Sequence, residues 1–292
     1  MVIPHIIGGL GNQMFQYAAA RALALRHGAA LALETADFSG YALHQGFELD
    51  RVFTLDCPIA TDADERRVLG WRYPQRVRRM LRRWPHLQLG QQRLAIEPHF
   101  QYWPGVRRLA PDCYMTGYWQ SERYFLDVEA QIRADFAFRQ VPGGLNAELA
   151  HAIGGVTAVS LHVRRGDYAS NPATTAAHGL SSLDYYAAAL RHVEEHVPGA
   201  HLFIFSDDIA WVRAHMTLNL PHTFVEHNTG AESYNDMRLM SLCRHHIIAN
   251  SSFSWWGAWL NNRAGKIVVA PRAWFARPVD TSDLIPPQWV RL

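Results

Sequence analysis

From residue 156 to residue 270 the chain alternates short apolar runs with helical stretches, and this alternation restricts the fold more than any other feature. Runs at 156–163, 201–205, 222–225, 246–249 and 266–270 have the length and composition of buried strands. Stretches at 183–196, 209–215, 233–243 and 253–260 read as helices between them. Such alternation builds a parallel sheet covered by helices. The first of these strands runs into His162-Val163-Arg164-Arg165-Gly166-Asp167. Two adjacent arginines at the end of a buried strand are unfavourable unless an anion meets them. Ligands of open α/β sheets sit beyond the carboxyl ends of strands, and a guanidinium fork matches phosphate oxygens. The run therefore points to a diphosphate-bearing ligand. The alternative is a structural ion pair of Arg164 or Arg165 with Asp167.

The N-terminal end opens in the same manner. An apolar strand at 2–7 meets Gly8-Gly9-Leu10-Gly11-Asn12-Gln13, a helical stretch follows at 14–27, and 29–33 reads as a second strand. The glycines permit a tight turn at a helix start, where free N–H groups can meet a polar ligand. Residues 65–84 are rich in arginine, with Arg78, Arg79, Arg82 and Arg83 at helical spacing beside Val77, Met80, Leu81 and Trp84. That stretch reads either as a solvated face or as a surface lying on anionic lipid. Gly117-Tyr118-Trp119-Gln120-Ser121-Glu122 follows a strand-like run, and 125–136 looks helical. Pro142-Gly143-Gly144 opens a connection, followed by a helix to about residue 153. The reading is of two Rossmann-like α/β domains, 1–150 and 151–292, facing each other across a cleft of the kind that binds ligands.

Composition removes other classes. Twenty-eight basic and 26 acidic residues nearly cancel, which gives no case for nucleic acid as a partner. Cys57, Cys113 and Cys243 are few and far apart, so neither a disulfide framework nor a zinc site is expected, and a reducing cytosol fits best. The strand at 2–7 leaves no secretory signal, and no run is long enough to span a bilayer.

Three strand ends in the second half carry polar groups. His162, Arg164, Arg165 and Asp167 follow the first. Ser206, Asp207 and Asp208 follow the second. Asn250, Ser251, Ser252 and Ser254 follow the third, where a helix begins. Hydroxyls and N–H groups at a helix start suit phosphate, and the same serines suit an N-cap. Asp207 and Asp208 lack DxD spacing and read as hydrogen-bond acceptors, Asp208 equally as a helix cap. Trp255, Trp256 and Trp259 recur at helical spacing and read mainly as core. His245-His246 precedes a buried strand and reads as structural.

Three segments in order then resemble the bacterial α-1,2-fucosyltransferases of glycosyltransferase family 11. They are Gly8-Gly9-Leu10-Gly11-Asn12-Gln13-Met14-Phe15-Gln16-Tyr17, His162-Val163-Arg164-Arg165-Gly166-Asp167-Tyr168, and Asn250-Ser251-Ser252-Phe253-Ser254-Trp255-Trp256-Gly257-Ala258-Trp259-Leu260. The resemblance covers nearly the whole chain, and the HxRRxD element is shared with α-1,6- and protein O-fucosyltransferases. It implies a GT-B fold, GDP-fucose as donor, inversion at the anomeric carbon and no metal cofactor. It also implies a galactose-terminated glycan acceptor in surface polysaccharide or O-antigen synthesis. The expected location is the cytoplasm, and peripheral contact at the inner face of the membrane follows only from the second of the two readings of the arginine-rich stretch.

Residue by residue, Arg164 is similar to the arginine that holds the β-phosphate of GDP. His162 and Asp236 resemble the pair near the guanosine. Ser251, Ser252 and Phe253 resemble the loop and helix start around the phosphates. Asn12 resembles the asparagine that reaches the reaction centre. Arg165, Asp167, Ser206, Asp207 and Asn250 complete the donor set. Gly11, Gln13, Tyr118, Trp119 and Gln120 are the acceptor-side candidates. The proton acceptor stays open among Asp37, Glu122 and Asp167. A GDP-sugar transferase of another linkage and a non-catalytic nucleotide- or glycan-binding protein remain as alternatives. A dinucleotide oxidoreductase is weaker, because the N-terminal glycines do not complete GxGxxG.

Overall fold

The computed structural model describes residues 1–40, 45–84, 93–165 and 179–292. It divides into two compact units: Met1–Arg139 with Asp280–Leu284, and Gln140–Val279 with Ile285–Leu292.

The first unit is built on β1 (Val2–Pro4), α1 (Leu10–His27), α2 (Leu49–Val52), α3 (Asp62–Leu69), α4 (Gln75–Arg83), β2 (Leu94–Ile96), β3 (Cys113–Thr116) and α5 (Glu129–Asp135). Its sheet is wholly parallel in the order β1-β3-β2, with Val2 opposite Cys113 and Leu94 opposite Tyr114. Helix α1 starts four residues earlier than the sequence suggests. Gly9 stands at its N-cap and Gly28, at φ 58°, ends it. The strand expected at 29–33 pairs on both sides, but only through single bridges, Leu31 to Val2 and Leu33 to Ile59. The helical spacing seen around residues 78–84 belongs to α4, and a separate helix, α3, covers the start of the arginine-rich stretch. Gly70, at φ 55°, closes α3, and Pro74 caps α4. Helix α3 opens on a capping box, in which Thr61 and Asp64 satisfy each other's backbone N–H groups.

The second unit carries α6 (Gly144–Gly154), β4 (Thr157–Val163), α7 (Leu183–His196), β5 (Ala200–Ser206), α8 (Ile209–His215), β6 (His222–Val225), α9 (Tyr234–Leu242), β7 (His245–Ile247), α10 (Ser252–Leu260), β8 (Val268–Ala270) and β9 (Val290–Arg291). Its six strands are all parallel in the order β6-β5-β4-β7-β8-β9. Relative to β4 this is 3-2-1-4-5-6, the doubly wound order whose strand direction of progress reverses between β4 and β7. Alternation along the strands gives each face its own core. Val159, Leu161, Leu202 and Ile204 pack with α7 and α8 residues such as Leu190 and Val212. Ala158, Phe203 and Phe205 pack with Ile153 of α6 and with Leu239 and Met240 of α9. The sequence reading ended the first domain at 150. Helix α6 instead lies whole in the second unit, because Ile153 belongs to that core.

Trp255, Trp256 and Trp259 are all enclosed. The ring of Trp255 meets Trp256 at 5.0 Å, Trp259 at 6.2 Å and Trp289 at 5.5 Å. Helices α9 and α10 approach closely at Gly257, where a Cβ would stand 2.9 Å from Met240 Cβ. His246 is buried between Ser160 Oγ at 2.8 Å from Nδ1 and Asn261 Nδ2 at 2.8 Å from Nε2. Burial holds its imidazole well below the ordinary pKa, so it is a neutral structural link between β4, β7 and the end of α10. Cys57, Cys113 and Cys243 are free thiols. Among the described residues, no helix is long and apolar enough to cross a membrane.

Candidate active site

The carboxyl ends of β4, β5 and β7 bring together most of the donor set expected from sequence. In-register pairing of Val163 with Ser206 sets the chain beyond β4 beside the chain beyond β5. Asp207 then does two things at once. Its Oδ1 accepts the backbone N–H of Arg165 at 2.7 Å, and its Oδ2 lies 3.2 Å from Arg164 Nε. A carboxylate on one edge of the guanidinium fixes the plane of the other edge. Arg164 therefore pairs with Asp207. The alternative partner, Asp167, lies outside the described residues, and so does its place in the donor set.

Arg165 turns the other way, its guanidinium 3.8 Å above the ring of Trp211 on α8. Ser206 Oγ accepts the N–H of Asp208, and Asp208 caps α8 by accepting the N–H of Trp211. Of the two expected roles for Asp208, the cap is the one the geometry displays.

His162 is 6% exposed, and its Nδ1 has no hydrogen-bond partner among the described residues. Its ring tilts against Phe253 at the start of α10, 6.0 Å between centroids. Burial lowers its pKa to about 4, with Asp207 opposing and Arg164 reinforcing the shift. His162 is therefore neutral at physiological pH, and among the described residues its buried ring nitrogen stays available for a hydrogen bond. Ser251 caps α10, its Oγ accepting the N–H of Phe253 at 3.3 Å. This leaves the helix start, with Ser252 beside it, next to β7 at the reversal point of the sheet. Asn250 is committed to the protein. Its amide donates to Gly179 O and Trp274 O, and its Oδ1 accepts from Ser181.

Asp236 lies near the start of α9. Burial pushes its carboxyl up to about 7, and the only opposing influence is a hydrogen bond from Asn228 Nδ2 at 2.8 Å. Asn228 is itself paired with Asn146. Sequence reasoning missed Asn228, which sits in an irregular stretch with no motif.

In the first unit the strand ends hold a second constellation. Gly8, at φ 78°, turns the chain into α1, and a Cβ there would stand 2.8 Å from Asn12 Nδ2. Asn12 Oδ1 accepts from Gln120 Nε2 at 2.7 Å, so two residues expected near the reaction meet directly. Gln13 is fully enclosed. Its amide ties Gly8 O and Gly46 O, and its Oε1 accepts the N–H of Glu48. Trp119 is also enclosed, edge-on to Tyr124 at 5.3 Å, and Gly11 is buried. Of the acceptor-side candidates, Tyr118 presents the most open side chain, 43% exposed.

Glu97, just beyond β2, holds this loop. Its two oxygens accept the successive N–H groups of Tyr118 at 2.7 Å and Trp119 at 3.0 Å. Burial raises its pKa to about 7 against the pull of those amides. Trp119 is the one non-glycine at positive φ among the described residues, at 55°. Backbone strain of that kind persists where the surroundings over-determine it. No sequence signal marks Glu97, because a three-residue strand shows no periodicity. Gly117 has φ 154°, and a Cβ there would fall 2.4 Å from Glu97 Cβ. Gly117→Ala is expected to cost roughly 2–4 kcal/mol by strain and overpacking and to displace Tyr118 to Gln120. Thermal denaturation checks the cost, and near-wild-type stability would show that the loop can relax around the methyl.

The three candidate proton acceptors differ. Glu122 is buried in a short turn. Asp167 lies outside the described residues. Asp37 is 58% exposed at the side chain, with one oxygen 2.9 Å from His5 Nε2. His5 is buried beside Thr116, with Glu34 3.4 Å from the same Nε2. Asp37 is thus an oriented carboxylate that remains open to solvent. Among the described residues, no three His, Cys, Asp or Glu side chains gather as a metal-holding group.

A family model described as Glycosyl transferase family 11 matches residues 109–292. Over 298 aligned residues, spanning the whole of this chain and 99% of the relative, the chain is 36% identical to an alpha-1,2-colitosyltransferase of Escherichia coli. It is 27% identical to the galactoside 2-alpha-L-fucosyltransferase SEC1 of Bos taurus, over 87% of this chain and 62% of that protein. Among solved structures, the fucosyltransferase NodZ from Bradyrhizobium matches with a TM-score of 0.53 and 16% identity, over 88% of this chain and 92% of that one. At that identity the likeness speaks for the fold, which is α/β of the GT-B type. A match to the family model over more than half of the chain, joined to a relative aligned from end to end, leads to one conclusion: the chain belongs to glycosyltransferase family 11.

Proposed function

We propose that this family 11 glycosyltransferase moves L-fucose from GDP-β-L-fucose to the 2-hydroxyl of a terminal galactose in a bacterial surface glycan, with inversion. The observation that supports the donor half is the grouping at the β4–β7 reversal point: Arg164 fixed on Asp207, the orphaned ring nitrogen of buried His162, and the start of α10. Together they offer a nucleoside diphosphate a guanidinium, a buried polar partner and the positive end of a helix.

In this reading the bond from the sugar C1 to the β-phosphate oxygen breaks while the galactose O2 bonds to C1 from the opposite face. The negative charge that grows on the β-phosphate meets Arg164 and the first N–H groups of α10, which stabilise it more in the transition state than before it. The charge is taken by protein groups, so the proposal requires no divalent ion. The neutral His162 and Asp236 face the guanosine. Asn12, held by Gln120, orients the acceptor, and the galactose hydroxyl gives its proton to Asp37, which His5 orients. The enzyme works in a reducing cytosol, which suits its free thiols.

A second reading has its own support, because the relative aligned from end to end is a colitosyltransferase. Colitose is L-fucose without the 3-hydroxyl, so the two donors differ by one polar group. A site built to hydrogen-bond a hydroxyl rejects the analogue lacking it by about 10⁴-fold, and donor choice is correspondingly measurable. GDP release is to be followed with lactose as acceptor, using GDP-fucose or GDP-colitose, with and without EDTA, and the product analysed by NMR. The expected result is EDTA-insensitive release from GDP-fucose, with fucose α-linked to the galactose O2. Preferential use of GDP-colitose would transfer the assignment to the second reading. Inhibition by EDTA would remove the metal-free mechanism. GDP binding without turnover of either donor would leave a binding protein.

A further inference from the structure

We propose that the outward face of α4, with Trp71 and Trp84 at its two ends, is a docking surface for an anionic lipid bilayer. The stretch from Gly70 to Trp84 carries six arginines and no carboxylate. The structure separates those arginines by what they do. Arg78 turns inward and bonds Glu65 and the hydroxyl of Tyr114. Arg82 reaches Thr116 Oγ1 at 2.9 Å. Arg72 lies 4.6 Å over the ring of Trp71. These three have work within the first unit.

Arg76, Arg79 and Arg83 form a separate set. At about 100° per residue they fall within about 60° of one another on the side opposite Leu81, which is fully buried. All three are exposed, and none has an ion-pair partner among the described residues. A merely solvated basic face is normally flanked by polar side chains or carboxylates. This face is flanked by Met80, 44% exposed, and by Trp84, 48% exposed, just past the last turn. Trp71, 60% exposed, stands on the short turn Gly70–Arg72 that leads into the helix.

The chain has ten tryptophans, and the two exposed ones are Trp71 and Trp84. Leaving an indole in water is unfavourable, whereas the headgroup zone of a bilayer takes its apolar body and its N–H together. Cationic side chains on one face with tryptophans at its border are the composition of a helix that lies in that zone. Charge complementarity selects anionic lipid as the occupant. Such docking would hold the enzyme at a membrane surface, where a lipid-linked glycan acceptor resides.

The test is flotation of the full chain with vesicles of phosphatidylglycerol or of phosphatidylcholine, at low and at high salt. It does not depend on turnover, so it is independent of the activity proposed above. Each arginine at an anionic surface is worth about fivefold in partition. The combined variant Arg76→Gln, Arg79→Gln, Arg83→Gln is therefore expected to lose on the order of 100-fold in binding to phosphatidylglycerol vesicles. Trp71→Ala with Trp84→Ala is expected to abolish the part of the binding that survives high salt. All these side chains are exposed, so the variants are expected to keep the wild-type melting temperature, and vesicle binding is the quantity compared. Absence of wild-type binding to phosphatidylglycerol vesicles at low salt would overturn the proposal. So would equal binding by the triple variant, or retention of the three arginines' effect on a polyanion column without any effect on vesicles.

Discussion

Arg164→Ala is expected to lower the transfer rate by roughly 10²–10³-fold, corresponding to about 3–4 kcal/mol of lost transition-state stabilisation. The side chain is partly exposed and pairs with Asp207 beyond the carboxyl ends of β4 and β5 rather than in the core. Its loss leaves the β4–β5 ladder and both apolar faces intact, so the melting temperature should move by only a few degrees. Arg164→Lys is expected to recover a small part of the rate, since an ammonium supplies charge without the fork. Steady-state rates with GDP-fucose and the acceptor check this, alongside circular dichroism. Turnover within threefold of wild type in the alanine variant would remove Arg164 from the donor site.

Trp255→Ala is expected to produce the largest loss of stability. The ring is fully buried and touches three other indoles, so deletion opens a cavity that stacked, rigid neighbours cannot refill. Aromatic-to-alanine changes in cores cost about 3–5 kcal/mol, a large share of the roughly 5–15 kcal/mol that holds a domain folded. For units of this size the midpoint should fall by on the order of 10 °C. Helix α10 carries both this cluster and the Ser251 cap, so GDP affinity should weaken in the same variant well below its melting temperature. Differential scanning calorimetry and a GDP titration at low temperature check the two parts. A midpoint within about 2 °C of wild type would mean that Trp289 and Trp259 close over the gap.

Much of the second unit was legible in the sequence. Its central strands β4 and β5 are seven residues each, long enough for composition to separate them from the helices that follow. The strands that escaped notice, β2 and β9, have three and two residues. Lengths like these carry no period, and neighbouring strands create them. The helical spacing of Arg78 to Trp84 was legible and falls in α4, whereas the break from α3 at Gly70 and Pro74 was not drawn from the sequence. Arg164 stands out in the sequence as a candidate for an anionic ligand because adjacent arginines after an apolar strand are unusual. The partner of Arg164 was not legible, since Asp207 lies 43 residues away in sequence and meets it only through the β4–β5 register.

By itself the sequence determined the class of fold, the strand ends that carry polar chemistry and the family. Each of these follows from local composition or from motifs of adjacent residues. Tertiary structure alone decided which polar groups are available. Gln13, Trp119 and Asn250 have the types of binding residues but are enclosed or fully bonded within the protein. His162 is left with an unmatched nitrogen in a buried wall, and Glu97 emerges as the clamp on a strained loop. Availability depends on burial and on long-range hydrogen-bond partners, and both are set by strand order and register rather than by any residue's neighbours in the chain.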